Sequence, residues 1–386
     1  MSKKAVFTVL LLFFLVLTNV RFVKSARASR TWTVDDDGPA DFHTVQEAVD
    51  AASSGDTVFV HSGIYHEYTY TAESIVSIAK AISLVGENPF DTIIDANFSS
   101  RTAILIRTDY VTVRNLTVRN SAYSHWHWDS TGGIYLDQSN GCIVENCIVT
   151  GNQNGINLQV SGGNNVSHNL VTDNVWGIKV GDSSNNNLIE GNLMLNNSYY
   201  GYSMVIDWDT NNNTIADNCF YNRYNSLDPR PNSLIIHSPA TGVVYHNDFM
   251  NNLPAVIDAG LPGLNFTLSK DGEGNFWIDY TGVDADEDGL GDTPYAIQYA
   301  TTYGNASDIY PLMKPYKWLQ GDVNYDMVVK ILDISIIAKA FGSNIGDARW
   351  NPRCVLRRQR RHARRRRCRR RPRECRIQRR PRPRRR

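Results

Sequence analysis

A short phrase built around asparagine recurs along residues 140–252 of the sequence. The copies are Ile143-Val-Glu-Asn146, Val166-Ser-His-Asn169, Ile189-Glu-Gly-Asn192, Ile215-Ala-Asp-Asn218 and Val244-Tyr-His-Asn247. Successive asparagine anchors are 23, 23, 26 and 29 residues apart, and an apolar side chain follows each anchor two residues later. A repeat of this length, made of strand-sized pieces, is typical of stacked structural coils.

The apolar runs between the anchors hold only three to five residues and are bounded by Asn and Gly, so they predict strands joined by tight bends. One coil cannot bury its own apolar face, but coils stacked about 4.8 Å apart form parallel sheets around a shared core. Asparagines at one corner then stack and bond turn backbone. The sequence therefore predicts an all-β fold, a right-handed single-stranded parallel β-helix of about ten coils. An Asn-rich disordered segment would not keep its apolar positions in phase.

The repeat also predicts which residues are vertical neighbours. It places the first residues of the phrases, Ile143, Val166, Ile189 and Ile215, in one column. It places Cys147, Leu170, Leu193 and Cys219 in another. Because the two cysteines of that column would be about 14 Å apart, beyond disulfide reach, Cys142, Cys147 and Cys219 are expected to be buried free thiols.

Charge divides the chain into an acidic body and a basic end. The formal net charge is +1, but residues 31–352 hold 14 basic and 38 acidic side chains, whereas residues 353–386 hold 20 Arg and one Glu. An acidic repeat encoded by GC-rich DNA would become arginine-rich if its codons were translated out of frame. We therefore interpret 353–386 as a frameshifted, disordered tail; the alternative is an arm that binds nucleic acid or another polyanion. We expect no nucleic-acid partner.

Residues 1–28 have the features of a secretory signal peptide: Lys3 and Lys4, an apolar run, and Ala26-Arg-Ala28 as a cleavage site. The apolar run is short for a membrane span, although an uncleaved anchor is the alternative. Export predicts a secreted or cell-surface protein with no membrane span after signal removal.

The chain differs from the repeat at residues 31–68. Phe42, Val45, Ala48, Val49 and Ala52 recur at helical spacing before the strand that begins at Thr57. We expect a short N-terminal helix that caps the first coil and hides its open edge.

Three polar and aromatic excursions are candidate substrate-binding elements. Aromatic rings stack on sugars, and imidazoles ligate metals. The candidate residues are Tyr123, His125, Trp126, His127 and Trp128, then Asp207, Trp208 and Asp209, then Arg223. If successive coils project these segments from one side, they line a groove; alternatively, the tryptophans only cover the flank of the coil.

An acidic loop at residues 284–292 predicts a Ca²⁺ site. Asp284, Asp286 and Asp288 alternate, Gly289 permits the bend, Leu290 offers its carbonyl and Asp292 adds an acid. This spacing supplies the oxygen ligands that Ca²⁺ prefers. We expect a structural ion that holds the C-terminal closing segment, residues 274–316.

The stretches FHTVQEAVDAASSGDTVFVHSGIYHE and ISLVGENPFDTIIDA, followed by the asparagine coils, resemble the pectin-lyase-like superfamily and, within it, the NosD-type β-helix proteins. The resemblance covers residues 31–316 and implies a β-helix with carbohydrate-binding or sugar-hydrolysis repeats. It does not imply one activity, because that group mixes lyases, hydrolases, epimerases and proteins without catalysis. The NosD type would also allow a copper-site accessory role.

From residue 320 to 344 the chain resembles the first half of a type I dockerin, a Ca²⁺ loop and helix that docks on cohesin domains. The implied ligands are Asp322, Asn324, Asp326, Val328 and Asp333. Met327 and Lys330 depart from the pattern and should weaken this second Ca²⁺ loop. A second repeat does not follow.

These observations predict an exported Ca²⁺-binding β-helix that binds polysaccharide or cell-surface glycan, with a dockerin-like module for a cohesin partner. The alternative is a polysaccharide lyase or glycoside hydrolase acting on acidic polysaccharide. Asp137, Lys179, Asp182, Asp207, Asp209, Arg223 and Asp228 are available for catalysis, but their spacing forms no motif, so we name no catalytic residue and favour a binding role.

Overall fold

Three parallel sheets, one for each side of a coil, build the molecule. A computed structural model of the chain describes residues 28–66, 73–99, 101–122, 131–197, 202–221, 233–237, 240–250, 265–297 and 307–316. The predicted signal peptide lies almost wholly outside these residues, and the dockerin-like segment and the arginine-rich tail lie wholly outside them. The described coils form a β-solenoid of about eight turns, fewer than the ten expected.

Each coil visits the sheets in the order A, B, C. The strands of sheet A are β1 (Thr31–Val34), β2 (Thr57–Val60), β5 (Ser83–Gly86), β8 (Thr112–Arg114), β11 (Ile143–Glu145), β14 (Asn165–Ser167), β17 (Leu188–Glu190), β20 (Asn213–Ala216), β23 (Thr241–Tyr245) and β25 (Asn265–Thr267). Those of sheet B are β3 (Gly63–Tyr65), β6 (Thr92–Asp95), β9 (Thr117–Arg119), β12 (Ile148–Thr150), β15 (Leu170–Thr172), β18 (Leu193–Leu195), β21 (Cys219–Tyr221), β24 (Asp248–Phe249) and β26 (Phe276–Trp277). Those of sheet C are β4 (Ser74–Ile78), β7 (Thr102–Ile106), β10 (Gly132–Asp137), β13 (Asn154–Gln159), β16 (Trp176–Val180), β19 (Met204–Ile206) and β22 (Leu234–Ile236).

The core is a set of vertical columns of apolar side chains. In sheet C, for example, one column consists of Ile104, Ile134, Ile156, Ile178, Met204 and Leu234, all buried. Stacking identical positions removes each apolar face from water without a second domain, because every coil covers its neighbour. The predicted parallel β-helix is confirmed.

The predicted register is wrong by one residue in the first repeat. Val144, not Ile143, pairs with Val166, and Ile143 is exposed at 36%. Likewise Ile148, not Cys147, shares the column of Leu170. The step to the next coil is therefore 22 residues rather than 23, which the sequence hid because Ile143 and Val144 are both apolar.

Asparagine ladders seal the interior at all three corners. At the AB corner, between sheets A and B, each Asn side-chain oxygen accepts both the backbone and the side-chain N–H of the residue one coil earlier, at 2.9–3.1 Å. The members are Asn169, Asn192, Asn218, Asn247 and Asn275. Cys147 occupies the position before Asn169 and donates its backbone N–H to it at 2.9 Å. Buried turn backbone is thereby paired.

Similar ladders stand at the other corners. Asn152, Asn174 and Asn197 form one at the BC corner, and Asn164, Asn187 and Asn213 form one at the CA corner. The three cysteines in the described residues are buried free thiols, as predicted. Burial raises the pKa of Cys147 to about 12, so it packs as a small apolar side chain.

The N-terminal helix α1 spans Val45–Ala51. The side-chain hydroxyl of Thr44 accepts the backbone N–H of Glu47, which caps the helix start. Val45, Ala48 and Val49 are buried, and the helix contacts β1, β2 and β4. Its role as a cap of the first coil stays a prediction.

Among the described residues, the AB ladder ends at a carboxylate; the closing role predicted for residues 274–316 stays a prediction. Asp308 terminates the AB ladder, because its carboxylate accepts the backbone N–H of Asn275 at 2.7 Å and the indole N–H of Trp277 at 3.0 Å. A short antiparallel pair, β27 (Tyr295–Ala296) and β28 (Ser307–Asp308), places this carboxylate. Among the described residues, no helix is both long and apolar enough to cross a membrane.

Candidate functional site

The long connections of the coils leave from one corner. At the AB corner most turns are two residues, such as Asn146 and Cys147 between β11 and β12. At the BC corner the connections are residues 120–131, 151–153, 173–175, 196–203 and 222–233 in successive coils. The first and last of these contain the predicted residues Tyr123, His125, Trp126, His127, Trp128 and Arg223, which lie outside the described residues. The strands on either side place the ends of these segments at the same edge of sheet C.

The outer face of sheet C is buried, which is unusual for positions that point away from the core. Strand alternation directs Leu105, Tyr135, Asn157, Lys179, Val205 and Ile235 outward, and they form one column by register. All six are buried. We call these six residues the outer column. It is a mixed polar and apolar strip on sheet C, near the edge at which the strands lead into the CA corner.

A buried ion pair lies within this column. The Lys179 ammonium is 3.0 Å from the Asp207 carboxylate, and both residues are buried. Asp207 follows β19, and its backbone N–H donates to the carbonyl of Val180 at 2.8 Å, which fixes the carboxylate one coil above Lys179. Burying two charges costs several kcal/mol each unless they are paired, so the two side chains depend on each other.

An imidazole and an indole lie at the outer side of this pair. His237 follows β22 as Asp207 follows β19, and its Nε2 is 3.9 Å from the nearer Asp207 oxygen. The Trp208 ring stacks on the His237 ring, with 4.6 Å between centroids and 24° between planes. Trp208 is 51% exposed. We call Lys179, Asp207, Trp208 and His237 the Trp208 cluster.

Polar groups continue along the same edge in the preceding coils. Arg107 donates to both oxygens of Glu73, at 2.8 and 2.9 Å, and to Asp137 at 2.8 Å. The hydrogen bond from Arg107 holds the pKa of Glu73 below its usual value. The Gln159 amide donates a long bond of 3.5 Å to Asp182, and its oxygen fills the space beside Gly181.

The structure therefore brings together some of the predicted site residues. Asp207 and Trp208 belong to one cluster, and Asp209 follows them as an exposed residue in a left-handed turn (φ 57°). Sequence reasoning missed His237 and did not single out Lys179. The signal was present, because Asp207 follows Met204-Val-Ile as His237 follows Leu234-Ile-Ile, but only the register reveals it.

The acidic loop is a separate candidate site. The carboxylates of Asp284, Asp286 and Asp288 each offer an oxygen within 4.8 Å of the others. Backbone N–H groups of Asp288 and Gly289 donate to Asp284, and the N–H of Ala285 donates to Asp292 at 2.8 Å. Gly289 has a φ of +91°, which favours glycine. These hard oxygen donors suit Ca²⁺.

Backbone hydrogen bonds join the acidic loop to residues 311–313, which lie later in the closing segment. The backbone N–H of Met313 donates to the Gly289 carbonyl at 3.0 Å, and that of Gly291 donates to Pro311 at 2.8 Å. Leu290 forms an isolated bridge with Leu312. An ion held here would therefore connect the loop to residues 311–313, which follow β28.

Comparisons with known proteins agree with the fold. Residues 102–262 match the family model for a right handed beta helix region. This match agrees with the three parallel sheets that the structure shows. No curated protein matches the sequence significantly.

Several solved structures are similar in outline. Pectate lyase Pel9A is 12% identical, with a TM-score of 0.49 over 64% of this chain and 74% of that one. Pectin methylesterase PemA from Erwinia chrysanthemi is 12% identical, with a TM-score of 0.43 over 78% and 98%. The Agl-KA catalytic domain is 16% identical, with a TM-score of 0.46 over 62% of this chain and 46% of that one.

Proposed function

We propose that this protein binds a polysaccharide along the edge of sheet C at the CA corner, with Trp208 as the surface on which a sugar ring stacks. The observation that carries the proposal is the orientation of the indole: one half of Trp208 is exposed while its ring is held against His237. Sugar rings present C–H groups that pack on aromatic faces. An indole fixed before the ligand arrives loses little side-chain entropy on binding.

The groups around the indole suit hydroxyl-rich ligands. Asp182 and Asp209 are exposed carboxylates within the same two coils, and carboxylates accept strong hydrogen bonds from hydroxyl groups. The parallel stacking of coils repeats such positions about every 4.8 Å, which suits an extended polymer more than a small molecule. The buried pair of Lys179 and Asp207 keeps the platform rigid from below.

Substitution of the indole tests this proposal. Trp208→Ala should weaken binding of the recognised oligosaccharide at least about tenfold, measured by titration calorimetry. The control is Phe98→Asn, which removes an aromatic ring that is 64% exposed at the BC corner and keeps a residue that tolerates its left-handed turn (φ 57°). Equal affinity of the Trp208→Ala variant and the wild type would contradict the proposal.

A second candidate function is cleavage of the bound polysaccharide, as a lyase or glycoside hydrolase. The observation that favours it is the Trp208 cluster itself, because a buried Lys179–Asp207 pair beside a partly exposed His237 puts proton-transferring groups next to the sugar platform. Incubation of bound glycan with the protein, followed by assay of reducing and unsaturated ends, separates the functions. Products that vanish in His237→Gln would establish the enzyme; binding without products would establish the binding protein.

We also propose that the acidic loop binds Ca²⁺ as a structural ion, with Asp284, Asp286 and Asp288 as ligands and the Leu290 carbonyl and Asp292 as further candidates. The closeness of the three carboxylates supports this, since like charges so close repel unless a cation binds. The ion would hold the acidic loop against residues 311–313.

We also propose that the protein is exported and attached to a cohesin-bearing partner. The signal-like residues 1–28 support secretion, and the dockerin-like residues 320–344 support docking on a cohesin domain with a weakened Ca²⁺ loop. A pull-down of the full chain with a type I cohesin, with and without a chelator, tests the attachment. The NosD type stays a prediction that rests on sequence resemblance alone.

A further inference from the structure

We propose that the glycan bound at Trp208 is uncharged, and that polymers of uronic acids are excluded from this face. The inference rests on the proposed function and names its ligand class. It is carried by the charges along the outer edge of sheet C and by the way its cations are already paired.

The edge around Trp208 is acidic. Four carboxylates lie on it, those of Asp137, Asp182, Asp207 and Asp209. Val180 pairs with Ile206, and Asp182 and Trp208 come two positions after these two residues. Register therefore places Asp182 one coil before Trp208. Asp209 is the next residue in the chain after Trp208, and both Asp182 and Asp209 are exposed. A sugar stacked on Trp208 therefore lies near two exposed carboxylates.

Two cations of this edge, Lys179 and Arg107, are committed to protein carboxylates. Among the described residues of sheet C and its flanks, Lys179 is paired with Asp207 at 3.0 Å and is only 2% exposed. Arg107 uses one side of its guanidinium for Glu73 and the other for Asp137. Breaking a buried pair leaves an uncompensated charge, so an anionic sugar would have to displace a stronger partner than itself.

Neutral sugars fit the same groups well. A hydroxyl group donates to a carboxylate in a short charge-assisted hydrogen bond, and Asp182 and Asp209 are acceptors only. A uronate presents its own acceptor oxygens to these carboxylates, so the two sides repel. The body of the protein adds to the effect, since residues 31–352 carry a net charge of −24.

A neutral ligand also narrows the chemistry of the second candidate function. β-Elimination in a polysaccharide removes the proton next to a C6 carboxylate or its ester, and neutral hexoses with a C6 hydroxymethyl group have no such proton. If the protein cleaves a glycan of such hexoses, the reaction is therefore hydrolysis.

The test is titration of the full-length protein with hexasaccharides of matched length. Cellohexaose, maltohexaose and mannohexaose are the neutral probes, and hexagalacturonate, with and without Ca²⁺, is the anionic probe. We expect at least one neutral hexasaccharide to bind about tenfold more tightly than hexagalacturonate at low ionic strength, with a smaller ratio at about 0.5 M salt because the repulsion is screened.

A charge variant isolates the cause. Asp182→Asn combined with Asp209→Asn removes two negative charges and keeps oxygen acceptors; Asn also tolerates the left-handed turn at position 209. We expect this variant to bind hexagalacturonate several-fold more tightly than the wild type, because repulsion is removed, and the neutral hexasaccharide several-fold more weakly, because charge-assisted hydrogen bonds are lost.

The outcomes separate the two proposals. Hexagalacturonate that binds as tightly as the neutral probes, alone or with Ca²⁺, and loses affinity in Trp208→Ala would overturn the inference and leave the proposed function standing. Failure of every probe to bind, or binding that Trp208→Ala leaves unchanged, would overturn the proposed function and the inference with it.

Discussion

The AB and BC corners both use asparagine side chains to pair buried turn backbone, but their connections differ in length. Both pair their buried turn backbone through stacked asparagines. At the AB corner the ladder runs without a break from Asn169 to Asn275, and the turns from β8 through β24 are two residues long. At the BC corner the ladder covers Asn152, Asn174 and Asn197, and the connections range from residues 151–153 to residues 222–233.

The difference shows how a β-helix combines a fixed scaffold with a variable surface. An unbroken ladder fixes turn length, because an extra residue would move every later asparagine out of reach of its partner. The corner with the shorter ladder accepts long connections. The Trp208 cluster lies across sheet C from them, in the connections 207–212 and 237–240 of the CA corner. Binding groups are commonly found on irregular segments held by a rigid scaffold.

Insertion should give the largest effect in a direct comparison of the corners. Four residues, Gly-Ser-Gly-Ser, inserted between Asp217 and Asn218 should prevent cooperative folding, because they break the AB ladder in its middle. The same insertion after Tyr199, within a BC connection, should cost less than about 1 kcal/mol, since loop-closure entropy grows slowly with length. Urea unfolding measures both, and equal losses would contradict the comparison.

Removal of one ladder amide should have the next largest effect. Asn218→Ala deletes the acceptor of two N–H groups of Asn192 and the donor to the Ile189 carbonyl. Leaving such buried groups unpaired should lower the free energy of unfolding by about 3 kcal/mol. The exposed Asn211→Ala is the control and should cost less than about 1 kcal/mol. Similar losses in both variants would show that the ladder is not what closes this corner.

The end of the AB ladder predicts a pH dependence of about 1–2 kcal/mol. Burial raises the pKa of Asp308 above its ordinary value of 3.8, although four N–H donors from Trp277, Asn275 and Tyr310 oppose the shift. A carboxyl group with a raised folded pKa contributes stability below its unfolded pKa and loses that contribution as the pH rises through the folded pKa.

Asp308→Asn cannot titrate, so the variant should be most harmful at acidic pH and less harmful at neutral pH. Chemical unfolding of both proteins across this pH range measures the difference. A penalty that grows with pH would mean that the donors, not burial, set the pKa of Asp308.

Calcium should have the smallest effect, confined to the closing segment. Addition of Ca²⁺ at about ten times its dissociation constant should stabilise the protein by about 1–2 kcal/mol, seen as a rise in Tm that a chelator reverses. Asp286→Asn should abolish the rise, whereas Asp271→Asn, which changes an acid outside the loop, should preserve it. If the Tm of the wild type does not change on addition of Ca²⁺, the proposed Ca²⁺ site is contradicted.

The sequence predicted the scaffold because asparagine and apolar residues repeat at the same place in each coil. It misplaced the first repeat by one residue, since Ile143 and Val144 both satisfy the pattern and only pairing shows that Val144 points inward. The phrase marked the AB ladder as an asparagine at a fixed place in each coil, but it could not show that a carboxylate, Asp308, ends it.

The candidate site was less predictable for a physical reason. Lys179 and Asp207 are in different coils, and their ion pair exists only because stacking brings those coils together. No local sequence motif marks His237, and it becomes a candidate only because the structure stacks its ring on that of Trp208. Outward positions of a strand also show no sequence sign that they will be buried, as the outer column is.

Hydrogen exchange with and without a bound neutral hexasaccharide tests the central claim most directly, because it reports both corners in one experiment. The account predicts slower exchange of backbone amides at residues 204–209 and 233–237, in sheet C and the CA corner that follows it, and unchanged exchange at residues 143–150, at the AB corner. Protection at residues 143–150 with none around Trp208 would contradict it.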